Sequence, residues 1–141
     1  AMWRFRLPNG VFPSVSTLRQ TVSGTNDMAK RVLVVEDEMT IAMMIEDMLM
    51  DLGHEVVATA ARLPSALEVA ADGNLDFVVL DVNLAGHKSF PVAAVLQQRG
   101  IPFAFATGYG PAGIDPAFAG RPVLTKPFTS ADLAAVIETV S

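Results

Sequence analysis

The chain has 141 residues, 51% of them apolar and 18% charged, with no cysteine and a formal charge of −5. Length and apolar content match one domain with a true core, and the missing thiols exclude disulfides, cysteine nucleophiles and cysteine-bound metals. Residues 1–30 carry four basic groups against one acidic (+3), whereas residues 31–141 carry six against fourteen (−8), a balance that repels a phosphate backbone and argues against nucleic-acid binding.

Residues 1–30 show no sustained period and are rich in Ser, Thr, Asn, Gly and Pro, with Trp3, Phe5 and Phe12 near their start. They read as an N-terminal extension outside the main domain, 31–141, and two origins stand open: a native extension, or vector-derived or upstream sequence ahead of a start at Met28. No secretory signal is expected, because Pro8, Asn9, Gly10 and Pro13 break the apolar segment after Arg4 and Arg6. No membrane span is expected either, since Glu46, Asp47 and Asp51 interrupt the most apolar stretch, so the expected location is the cytoplasm.

From residue 31 short apolar strands alternate with helical periods. Residues 31–36 form a β-branched run suited to a strand covered on both faces. Ile41, Ile45, Met48 and Leu52 then mark an amphipathic helix stopped by Gly53. Residues 55–59 give a second strand, and Pro64, Leu67, Ala70 and Ala71 a second helix opened by proline. Residues 75–81 are a third strand, followed by a third helix that Ser89 is placed to cap and Gly100 to end. Residues 101–106 are the fourth strand and 122–124 a short fifth. Thr129 and Asp132 resemble a capping box ahead of Leu133, Val136, Ile137 and Val140. This succession predicts an α/β fold with a doubly wound five-stranded parallel sheet. Between strands four and five, four glycines and two prolines in residues 108–120 leave the fourth helix region irregular and predict mobility.

Ligands of such a sheet bind beyond the carboxyl ends of its strands. Those ends carry Glu36, Asp37 and Glu38, then Asp81, Thr107 and Lys126. Hard carboxylates without cysteine or paired histidines suit Mg²⁺, and Asp81 stands where it can be both ligand and nucleophile. His54 and His87 have no metal-spaced partner and read as surface residues, and the methionines clustered in the first helix read as adaptable packing.

Val-Val-Glu36-Asp37-Glu38, Val-Leu-Asp81-Val-Asn83, Ala-Thr107-Gly and Thr-Lys126-Pro127-Phe, in this order and spacing, resemble the receiver domain of bacterial two-component response regulators. The resemblance covers about 31–141 and implies a flavodoxin-like strand order, 2-1-3-4-5. By it, Asp81 is the phosphoacceptor for a sensor histidine kinase or phosphotransfer protein. Asp37, Asp81 and the Asn83 carbonyl hold Mg²⁺, with Glu36 acting through the metal's waters. Thr107 and Lys126 contact the phosphoryl group, and Lys126-Pro127 corresponds to a cis peptide. Phe105-Ala-Thr-Gly-Tyr109-Gly110 resembles the FAT GUY subgroup, often single receiver domains. The chain departs from the wider family in having Glu36 at the first acidic position and Val123 where many receivers place a switch aromatic, so the usual switch does not carry over and Tyr109 becomes the candidate.

The implied function is phosphorelay signalling by a phosphoprotein that promotes only its own phosphorylation and dephosphorylation, through protein contacts or phosphoryl exchange with an unknown downstream protein. Two alternatives are weaker. A phosphatase of the haloacid dehalogenase type needs a second Asp two residues after the nucleophile, where this chain has Asn83. A phosphorylation-independent interaction module leaves the acidic set without a purpose. Flavin binding fits poorly, because the loop after strand one presents carboxylates rather than phosphate-binding Gly, Ser or Thr.

Overall fold

The computed structural model describes residues 11–12 and 29–140. The strands are β1 (Val11–Phe12), β2 (Arg31–Val35), β3 (Glu55–Ala60), β4 (Phe77–Asp81), β5 (Asn83–Leu84), β6 (His87–Lys88), β7 (Phe103–Thr107) and β8 (Val123–Thr125). The α-helices are α1 (Met39–Asp51), α2 (Leu63–Asp72), α3 (Phe90–Arg99) and α4 (Ser130–Val140). The main sheet has the order β1-β3-β2-β4-β7-β8. Its five parallel strands, β3-β2-β4-β7-β8, follow the expected 2-1-3-4-5 order.

Alternation along each strand divides the core into two layers. Leu33, Val35, Val78, Leu80, Phe103 and Phe105 face α2 and α3. Val32, Val34, Phe77, Val79, Ala104 and Ala106 face α1 and α4. Strand β7 thus puts two rings, Phe103 and Phe105, on one side and the small Ala104 and Ala106 on the other, and Phe118 from the segment after β7 joins the aromatic side. Among the described residues no helix is long and apolar enough to cross a membrane.

Several ends match their sequence signals. Gly53 takes φ 89° after α1 and Gly100 φ 71° after α3, conformations that glycine adopts without steric cost. The capping box before α4 is reciprocal: the Thr129 N–H donates to Asp132 Oδ2 at 2.9 Å, and the Asp132 N–H to Thr129 Oγ1 at 3.1 Å. Ser89 occupies the N-cap position of α3 but its side chain makes no capping bond; ψ of 6° takes it out of the extended geometry in which a serine hydroxyl reaches back to the first turn. Its backbone carbonyl instead accepts from Val92 and Ala93.

Two features have no counterpart in the sequence reading, whereas the irregular fourth helix region has one. Val11–Phe12 lies antiparallel on the outer edge of β3, with Val11 opposite Ala60 and Phe12 opposite Thr59. The rest of residues 1–28, with Trp3, Phe5 and Met28, lies outside the described residues. Residues 83–88 form a β-hairpin turned by Ala85 and Gly86, both at positive φ (50° and 88°), as a two-residue turn of this hand requires. The 108–120 segment is two short 3-10 turns, Gly110–Gly113 and Pro116–Phe118, in place of an α-helix. The irregularity follows from its glycines and prolines. Phe118 is nonetheless buried, stacked on Phe90 at 5.8 Å between ring centroids and edge-on to Phe105 at 6.0 Å.

Candidate phosphoryl and metal site

Strands β2, β4, β7 and β8 end side by side, and the residues at those ends meet. Glu36 directly follows β2, and its buried carboxylate accepts from Lys126 Nζ at 2.6 Å through Oε1. Its other oxygen accepts from the Glu38 N–H at 3.1 Å. Asp81 closes β4, buried, with Oδ1 3.5 Å from the same ammonium. Glu36, Asp37 and Asp81 each offer a carboxylate oxygen, and these atoms lie within 4.8 Å of one another. Glu38, expected among the converging groups, points to solvent and enters the site only through its N–H.

Thr107 closes β7 one residue beyond Ala106, which is in register with Asp81. Its carbonyl accepts from the Lys126 N–H at 2.8 Å, tying the two strand ends together. Its hydroxyl accepts from the Tyr109 N–H at 3.1 Å, while the Tyr109 ring stands 80% exposed. Asn83 opens β5 two residues beyond Asp81. The Lys126–Pro127 peptide is cis. The hairpin that sequence reasoning missed also reaches the site, because the Ala85 N–H donates to Asp37 Oδ2 at 3.1 Å. Its one signal was the Ala-Gly pair at 85–86, a weak turn marker without the usual Asn or Asp.

Charge is crowded here. Burial first, and then the Glu36 charge, push the Asp81 carboxyl up to about 7, with Lys126 pulling the other way. Burial works against the Lys126 ammonium, yet its hydrogen bond to Glu36 and the Asp81 and Glu36 charges outweigh it and raise its pKa. Three carboxylates against one ammonium leave a net negative pocket lined by hard oxygen donors. Such a donor set fits Mg²⁺, which binds through one or two carboxylates and keeps several waters. His54 is no ligand: half-buried, its Nδ1 accepts from the Lys30 N–H at 3.0 Å, and burial and Lys30 lower its pKa.

The comparisons with known proteins agree with this geometry. The chain resembles SdrG of Sphingomonas melonis Fr1, solved in solution, at 44% identity and a TM-score of 0.74, covering 82% of this chain and 98% of that one. It also resembles the BeF3-activated conformation of SdrG at 46% identity and a TM-score of 0.68, covering 78% and 94%. The phyllosphere-induced regulator PhyR of Methylorubrum extorquens is 33% identical over 119 residues, which are 79% of this chain and 43% of that protein. The chain spans roughly half the length of the curated relatives it matches first. The family model for the response regulator receiver domain matches residues 32–138, and the chain belongs to that family.

Proposed function

We propose that this receiver domain accepts a phosphoryl group on Asp81 from a phosphohistidine of a sensor histidine kinase or phosphotransfer protein. The observation that carries this reading is the Asp81 carboxylate beside the Lys126 ammonium at 3.5 Å, within a pocket that also gathers Glu36 and Asp37. One Asp81 oxygen attacks phosphorus, the phosphorus–nitrogen bond breaks, and the departing imidazole keeps its electron pair and takes up a proton. Transfer spreads negative charge over three phosphoryl oxygens, so catalysis consists of placing donors and positive charge around them. Lys126 supplies a fixed positive charge, and Glu36 holds it in place through the 2.6 Å ion pair. The Thr107 hydroxyl sits at the neighbouring strand end, free to donate its own proton while accepting from Tyr109 N–H.

Glu36, Asp37, Asp81 and the Asn83 carbonyl are the groups that would hold Mg²⁺, whose charge would offset the repulsion among the carboxylates and the phosphoryl oxygens. The 46% identical relative solved in a BeF3-activated conformation supports an acceptor role. In our reading the domain catalyses only its own phosphorylation and dephosphorylation, works in the cytoplasm, belongs to the FAT GUY subgroup, and passes its state to a downstream protein by contact or phosphoryl exchange. Tyr109 is the candidate switch residue. Residues 31–141 form the receiver unit, with the preceding residues an extension of it.

Asp81→Asn tests the assignment, since it is nearly isosteric and removes the nucleophile. Incubation with a small phosphodonor and Mg²⁺ should label the wild type and leave the variant unlabelled at an unchanged melting temperature. Equal labelling of the variant would refute Asp81 as the acceptor.

A further inference from the structure

The β5–β6 hairpin is fixed to the sheet at its base and to the acidic pocket at its tip. Val82 and Leu84 are buried, and the Ser89 N–H donates to the Val82 carbonyl at 2.9 Å, so the base follows the end of β4. Asn83 lies opposite Lys88 and Leu84 opposite His87. Among the described residues Ala85, in the turn, is the one residue other than glycine at positive φ. L side chains rarely adopt that conformation, and it persists where the surroundings over-determine it.

The ladder decides which backbone groups the hairpin presents. Leu84 and His87 close the two-residue turn, so the Ala85 N–H is not spent within the hairpin. With Val82 and Ser89 bonded on the other side, Asn83 and Lys88 form a non-hydrogen-bonded pair, whose backbone groups point away from the partner strand. The Asn83 carbonyl and the Ala85 N–H therefore share the outer edge of β5. That edge faces Asp37, because the Ala85 N–H donates to Asp37 Oδ2 at 3.1 Å. Among the described residues this N–H is the one hydrogen-bond donor to the Asp37 side chain, whereas Glu36 accepts from both Lys126 Nζ and the Glu38 N–H. Asp37 is exposed, in the short link between β2 and α1. A carboxylate has about four lone-pair positions, so one such bond orients the group and leaves the rest for a cation.

We propose that the β5–β6 hairpin is a positioning element of the metal site: the Ala85 N–H turns the Asp37 carboxylate toward the place that the Asn83 carbonyl also faces, so that both reach one Mg²⁺ ion. The inference rests on the metal reading above and adds the group that orients one of its ligands. Ala85 acts through Asp37, as hydrogen-bonded partners of ligating carboxylates do. Its strained φ is the conformation that aims this N–H.

Replacing Ala85 by its hydroxy-acid counterpart, lactic acid, turns the N–H into an ester oxygen and keeps the methyl group. Mg²⁺ titrations followed by amide NMR shifts should then give a Kd about tenfold weaker than in the wild type. The same exchange at Gly86, the other turn residue, should leave the Kd unchanged. In the wild type, saturating Mg²⁺ should slow the exchange of the Ala85 amide with water several-fold, and in Asp37→Ala it should not. A Kd unaffected by the ester at 85, a Kd weakened equally by the ester at 86, or an Ala85 amide indifferent to Mg²⁺ in a wild type that binds the ion would overturn this proposal alone. No Mg²⁺ binding by the wild type would overturn it together with the metal reading. If the ester at 85 prevents folding, the amide-exchange comparison decides, because it uses the unaltered hairpin.

Discussion

The carboxyl edge of the sheet and the segment that follows β7 are held in two different ways. At the ends of β2 and β4 the structure is held by charge: Glu36, Asp37 and Asp81 bring carboxylate oxygens within 4.8 Å of one another, and Lys126 offsets part of their charge. Beyond β7 it is held by rings: Phe118 sits among Phe90, Phe103 and Phe105, and Arg121 places its guanidinium 4.7 Å from the centre of the Phe103 ring. Thr107 joins the two, bonded to the Lys126 N–H on one side and the Tyr109 N–H on the other. On the proposed function the first region is the one that meets cations and phosphoryl groups, while the second keeps its position through apolar burial. A loop poor in helix-forming residues is in this way given a fixed far end and an exposed near end, with Tyr109 at the near end.

This contrast is open to breakage from either side. Phe118→Ala removes the aromatic anchor, and a buried Phe→Ala change costs about 4 kcal/mol, so urea unfolding should show a loss of that size. A loss within 0.5 kcal/mol would mean that Phe118 does not anchor the segment. Lys126→Ala leaves the buried Glu36 carboxylate without its partner, for which about 3 kcal/mol is expected. Equal stability of this variant at neutral pH would show that the pocket does not depend on its ammonium.

Mg²⁺ should separate the regions. At 100 times its Kd a ligand of the folded state alone stabilises by about 2.7 kcal/mol. Wild type and Phe118→Ala should gain alike in a melting scan, whereas Asp37→Ala should gain less. An equal gain in Asp37→Ala, or none in the wild type, would contradict the metal site. Tyr109→Ala should have the smallest effect on stability, within 0.5 kcal/mol for so exposed a ring. It should leave Asp81 labelling intact while weakening the effect of phosphorylation on amide exchange across 108–120, and an unchanged exchange response would remove Tyr109 from the switch.

Much of the charged region was legible in the sequence, because a strand end is marked locally: an apolar run stops, and the next residue is Glu36, Asp81 or Thr107, with Lys126 two residues beyond the run Val123-Leu124. The helix-ending glycines and the Thr129–Asp132 box are local in the same sense. What escaped depends on partners distant in the chain. Phe118 lies 28 residues from Phe90, the ring it stacks on, and among glycines and prolines it looks like loop sequence. The pairing of Val11 with Ala60 joins two segments across 49 positions and rests on backbone bonds that carry no side-chain signature. Ser89 shows the opposite failure: a favourable capping residue is in place, but the backbone reaches it at a ψ that turns the hydroxyl away.

The most direct measurement is to trap the acyl phosphate. Borohydride reduces an aspartyl phosphate to homoserine, and peptide mass spectrometry locates the converted residue. After treatment with a small phosphodonor and Mg²⁺, conversion should appear at residue 81 alone and vanish in Asp81→Asn. Conversion at Asp37 or elsewhere in place of residue 81, or no conversion of a chain that is folded and loaded with metal, would contradict a phosphoacceptor role for Asp81.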